Sequence, residues 1–124
     1  MFVKKVYVLI FAGVLALGAG LASAADPAVR TVVAVHQEMA ALSGSQVQVS
    51  GKVVKVNNGI MGRNFVHVRD GSGEQGTNNL IATSKDTAAV GDEVVVTGRV
   101  QLDRDFGSGY VYPLLIEDAT IAKK

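Results

Sequence analysis

Two segments of this sequence mix glycine, arginine and large apolar side chains in a way that ordinary connectors do not. One is Asn57-Asn58-Gly59-Ile60-Met61-Gly62-Arg63-Asn64, the other Leu102-Asp103-Arg104-Asp105-Phe106-Gly107-Ser108-Gly109. Arginine in such a setting grips carboxylates bidentately, and Met or Phe beside it supplies an apolar anchor. Directly after the first segment, Phe65, His67 and Arg69 recur at period 2, with Val66 and Val68 between them. With the valines in a core, a ring, an imidazole and a guanidinium share the opposite face. Tyr110 and Tyr112 repeat that spacing after the second segment. Rings interleaved with arginine stack on single-stranded nucleic acid, and Tyr and Arg equally anchor protein interfaces. The candidate contact residues are Met61, Arg63, Asn64, Phe65, His67, Arg69, Arg104, Phe106, Tyr110 and Tyr112. The competing reading turns Phe65 inward and gives His67 a local carbonyl, since small barrels use aromatics as core.

Covalent and metal chemistry find little footing. The sequence lacks G-x-S-x-G, a P-loop, H-E-x-x-H and an EF-hand loop. Its only histidines are His36 and His67, and neither has an activated nucleophile to serve. With no Cys there is no disulfide, thiolate zinc site, thiol nucleophile or lipid-bearing cysteine. Met61 and His67 together would make a soft copper site or a haem axial pair. Metal sites need more ligands than that, so Met61 reads as a greasy loop anchor. Asp103 and Asp105 flank Arg104, which favours a local salt bridge over a Ca²⁺ clamp. The expectation is a non-enzyme with no catalytic residue, no metal site and no cofactor.

The N-terminus carries an address. Lys4 and Lys5 precede an uncharged apolar run from Val6 to Leu17, which trails through small residues into Ala22-Ser23-Ala24. This is the pattern of a secretory signal peptide cleaved after Ala24. Export implies a periplasmic or secreted domain without a stable membrane anchor after cleavage. The whole chain has 12 Lys+Arg and 11 Asp+Glu. Losing Lys4 and Lys5 leaves 10 basic against 11 acidic residues, a formal charge of −1. No global positive field then draws the mature domain to a polyanion, which disfavours nucleic acid as partner.

The elements that must position these residues follow from patterning. Residues 25–45 form an N-terminal segment. Its best helix is His36–Leu42, although Asp26-Pro27 could start a helix and the β-branched Thr31–Val35 run could be extended. Val35, Met39 and Leu42 form one apolar stripe. From residue 46 to 124 the pattern is strand and turn. Val47–Val53 alternates, then the phase flips at Val53-Val54 beside Gly51, the mark of a β-bulge. Asn64–Arg69, Leu80–Thr83, Glu93–Val100 and Tyr110–Glu117 are the other strands, and Thr87–Asp92 is a connector with room for one helical turn. Pro113 belongs at an edge or seam. Gly51 and Gly98 suit the tight bends of a small closed barrel. Five strands with a bulged first one predict a mainly β fold, an OB-fold Greek-key barrel with a short N-terminal helix, ahead of an SH3-like barrel. In that strand order the two unusual segments are the loops flanking the ligand face. Arg63 and Arg104 would then grip one ligand from both sides, with Phe65 as the floor.

Gly51–Asn57, Gly59–Gly71 and Asp105–Tyr110 resemble a family of small exported bacterial OB-fold proteins, above all in their IMGRN and DFGSGY strings. The similarity spans roughly Thr31 to Ala122. The family includes the nitrite reductase accessory type, and many members are labelled nucleotide-binding or DNA-binding. Phe65 stands where the family usually has tryptophan, which keeps a stacking ring but loses the indole N–H. The resemblance implies a periplasmic accessory factor that docks a protein or ligand of respiratory cytochrome assembly. Single-stranded nucleic-acid or nucleotide binding is a second class, and a small-ligand or metal-ion stress binder a third.

Overall fold

The structure, a computed structural model, describes residues 26–124; the expected signal segment and its expected cleavage after Ala24 lie outside the described residues. Its elements are β1 (Ala28–Val29), α1 (Val32–Gln37), α2 (Met39–Leu42), β2 (Gln46–Ile60), β3 (Arg63–Arg69), β4 (Leu80–Ser84), β5 (Glu93–Asp105) and β6 (Val111–Lys123). No helix among the described residues is long and apolar enough to cross a membrane.

The six strands form one sheet in the order β1-β2-β3-β4-β6-β5, and β5 pairs back onto β2. That last pairing closes β2, β3, β4, β6 and β5 into a ring. The β4–β6 pair is parallel, and the other ring pairs are antiparallel. The result is a mainly β, OB-like barrel. Closure depends on β2, which pairs with β5 over Gln46–Lys52 and with β3 over Lys52–Ile60. Between Val53 and Lys55 the register shifts, at the point where the valine alternation breaks. The bulge bends one strand so that it serves both neighbours.

The inward positions are overwhelmingly β-branched. Val47, Val49, Val53, Val66, Val68, Val94, Val96, Val100 and Ile116 are buried in one cluster. Such side chains pack well on a pleated surface and lose little rotamer freedom there. Val32, Val35 and Leu42 join the same core from α1 and α2, with Met39 packed against it, so the apolar stripe of the N-terminal segment does face the barrel. Gly51 and Gly98 sit at close approaches. A Cβ on Gly51 would stand 2.9 Å from the Arg69 carbonyl oxygen, and one on Gly98 would stand 2.8 Å from Ile116 Cγ2 and 3.0 Å from Ala119 Cα.

Several boundaries differ from the sequence expectation, and the short β1 adds a sixth strand to the five expected. The helix begins at Val32, four residues before His36, and Glu38 divides it into α1 and α2. The β-branched run becomes helical because its free N–H groups find acceptors. Thr31 Oγ1 takes that of Ala34, Asp70 Oδ2 that of Val32, and Ser72 Oγ that of Val33. Strands β5 and β6 extend to Asp105 and Lys123. The second unusual segment is therefore strand as far as Asp105, and the chain turns at residues 106–110. In the first segment, Asn57–Ile60 belong to β2 and the turn is Met61-Gly62, with φ of 53° and 77°. Residues 87–92 form a turn without helix, closed by Asp92 N–H to the Ala89 carbonyl. Pro113 lies in a stretch of β6 whose registered partner is β5 alone, as its missing donor requires.

Candidate functional site

The β2–β3 hairpin delivers Arg63 and Phe65, and the β5–β6 hairpin delivers Arg104, Phe106 and Tyr112. The two meet. The Phe65 ring centroid lies 5.5 Å from that of Phe106 and 5.4 Å from that of Tyr112, and Phe106 and Tyr112 are 5.8 Å apart. The two pairs involving Phe106 are edge-to-face, the geometry that aligns a ring's positive edge with its neighbour's negative face. Both arginines then stack on Phe106, with Cζ 4.9 Å from the centroid for Arg63 and 4.2 Å for Arg104.

Phe65 lies on the face opposite Val66 and Val68, yet it is only 2 % exposed. Phe106 and Tyr112 cover it, and it stands outside the main core cluster. It underlies the site rather than presenting a ring to a ligand.

The two arginines differ in what holds them. Arg104 Nε donates to Glu117 Oε2 at 2.9 Å, and Nη1 donates to the Asp105 carbonyl. The salt bridge expected with Asp103 or Asp105 is thus made with Glu117, which comes from the neighbouring strand β6. Asp105 instead uses Oδ1 to accept the Gly107 N–H. Glu117 is 6 % exposed and also has Arg99 Nη2 3.6 Å away. A buried carboxylate between two guanidiniums fixes the base of the β5–β6 hairpin. The Arg63 side chain makes no hydrogen bond or ion pair among the described residues.

Around this cluster the turns present apolar side chains. Met61 is 43 % and Tyr110 53 % exposed, and Ile60 and Val111 beside them are exposed as well. Asn64 is committed to local structure, accepting the Gly59 N–H and donating to the Asp86 carbonyl. His67 stands apart from the rings. Its Nδ1 meets Asn79 Nδ2 at 3.3 Å, and burial, aided by Lys55 on the paired strand, pushes its imidazole below the ordinary value. His36 Nε2 donates to the carbonyl oxygen of the same residue, Asn79, at 2.7 Å, which fixes the tautomer with the proton on Nε2. Arg69 lies elsewhere, lining a shallow groove with Lys52, Asp70 and Glu93. Among the described residues no three His, Cys, Asp or Glu side chains are grouped to hold a metal.

Sequence reasoning passed over Glu117, Lys85 and Asn79. Glu117 carried a signal, being the one acid that closes the apolar run Leu114-Leu115-Ile116. Lys85 had none; the barrel brings it beside Arg63 in a depression of about 330 Å³ that also takes in Asp86, Asp118 and Thr120.

No family model and no curated protein matches the chain. Among solved structures it is similar to the Entamoeba histolytica asparaginyl-tRNA synthetase in complex with asparaginyl-adenylate. The TM-score is 0.50 at 16 % identity, over 80 % of this chain and 25 % of that one. The chain thus spans a quarter of that enzyme's length, and the likeness is one of barrel fold.

Proposed function

We propose that this protein is an exported, non-enzymatic OB-fold module that docks another protein through its two hairpin turns. The observation that carries the reading is the convergence of both hairpins on Phe106, which leaves Ile60, Met61, Tyr110 and Val111 exposed around an arginine whose guanidinium has no hydrogen bond or ion pair among the described residues. A rigid base with apolar anchors and a guanidinium is how a protein hot spot is built. The aromatic packing also weakens the nucleic-acid reading, because Phe65 is buried under Phe106 and Tyr112 and both arginines sit over the Phe106 ring, which leaves less ring face for bases. The resemblance to respiratory accessory proteins makes an exported cytochrome, or a component of its assembly, the partner of choice.

Affinity capture from an exported-protein fraction tests this, comparing the native protein with a Met61→Asp/Tyr110→Asp variant. Both positions are exposed, so the variant should fold normally. The native protein should retain a defined protein partner that the variant loses. Identical capture by both would refute the docking site. Tight binding of a single-stranded oligonucleotide that collapses with added salt would favour the nucleic-acid class instead.

A further inference from the structure

Phe106 carries two guanidiniums in different states. Arg104 has its counter-ion in Glu117, whereas Arg63 has none among the described residues. The Arg63 Cζ lies over the Phe106 ring, 4.9 Å from its centroid, an attraction that holds the cation near the turns without using its N–H groups. The guanidinium fork is thereby left free to receive a carboxylate with two parallel hydrogen bonds. The depression beside it contains a second cation, Lys85, which also makes no ion pair or hydrogen bond among the described residues. Two acids line the same depression, and both are engaged. Asp86 Oδ2 accepts the Ile121 N–H at 2.8 Å, and the Asp118 carboxylate lies 3.9 Å from Arg99. Neither supplies Arg63 with a counter-ion.

We infer that Arg63 and Lys85 form a carboxylate subsite, which takes an acidic side chain of the docked protein while the residues flanking that side chain rest on Ile60 and Met61. The inference deepens the docking reading and rests on it. It replaces the symmetric two-arginine grip expected from the sequence with a single open arginine, because Glu117 already occupies Arg104. The depression has equal numbers of cationic and acidic side chains. It therefore selects one well-placed carboxylate through geometry and does not attract polyanions through net charge.

The test uses two blocked tripeptides, acetyl-Leu-Glu-Leu-amide and its Gln counterpart, titrated into the isotope-labelled protein. Amide and Arg Nε–H shifts are the readout. The Glu peptide should shift Arg63 Nε–H together with the Ile60, Met61 and Lys85 amides. It should bind about tenfold more tightly than the Gln peptide, since hydrogen bonds to a charged group contribute most when both partners are present. Arg63→Gln should erase that preference, and Arg63→Lys should restore it in part. If both peptides shift the turns equally and leave Arg63 Nε–H unmoved, the turns still dock but the carboxylate subsite is wrong. If the shifts map to the Lys52 and Arg69 groove, the subsite is misplaced and the inference fails. If neither peptide shifts the turns, both the subsite and the docking reading fall.

Discussion

Arg104 and Arg63 contact the same ring, but only Arg104 holds a buried charge in place. Removing one member of a buried ion pair strands the other, at a typical cost of about 3–5 kcal/mol. Here Arg99 remains 3.6 Å from Glu117 and Arg104 is itself a third exposed, which softens the loss. Arg104→Ala should therefore lower stability by about 1–3 kcal/mol. Arg63→Ala forfeits only a partly exposed cation–π contact and should lose about 0.5–1 kcal/mol. Denaturant midpoints of the two variants check the contrast. Equal midpoints would mean that Glu117 does not depend on Arg104. The sequence showed the arginines but not this difference, because the deciding carboxylate lies thirteen positions away on another strand. Phe65 was similar. Period 2 put it on the outer face, and only the arrival of the second hairpin buries it.

At the scale of the element, α1 is six residues long and starts in β-branched sequence. Isolated, such a helix would not form. Its start is held by the turn after β3, where Asp70 and Ser72 accept the Val32 and Val33 N–H groups. These bonds span 38 and 39 positions, so no local pattern could report them. The valine alternation and the bulge of β2, by contrast, are local features and were legible. Burial would raise the Asp70 carboxyl, but the Ser72 hydroxyl and the Val32 and Ser72 N–H groups together hold it below its ordinary value. A carboxylate lowered in the folded state stabilises the fold above its unfolded pKa of about 3.9 and loses that contribution as pH falls through the folded value. Native protein should thus weaken more steeply than Asp70→Asn between about pH 5 and pH 2, with Asp70→Asn the less stable of the two at neutral pH. Thermal melts across that range decide it; parallel acid limbs would show that the cap is energetically idle.

Across the whole molecule, the barrel is tight enough that two glycines act as spacers. Gly51 faces a backbone carbonyl, which cannot rotate aside, and Gly98 faces Ile116 and Ala119 of the adjoining strand. Even Ala at either site forces strands apart, and overpacking of this kind costs about 1–3 kcal/mol. The two should be comparably damaging, because the Gly98 site also meets backbone at the Ala119 Cα and Cγ2 of the fully buried Ile116 sits on a stiff β-branched carbon. Calorimetric melts of the two variants test this. If both melt with the native protein, the barrel is looser than these approaches require.

The double duty of β2 also sets how the chain can reach this state. Its pairing with β3 is a hairpin that needs only a short loop to close. Its pairing with β5 joins Gln46 to Arg99 and Lys52 to Glu93, across two intervening strands. The parallel contact of β4 with β6 is also between strands distant in sequence. Chain entropy must be surrendered before either contact returns anything, so the ring closes late and in milliseconds to seconds rather than microseconds. Until it does, the unsatisfied halves of β2 and β5 are open edges of valine-rich strand, and the slow step of folding coincides with the chain's greatest exposure to wrong partners.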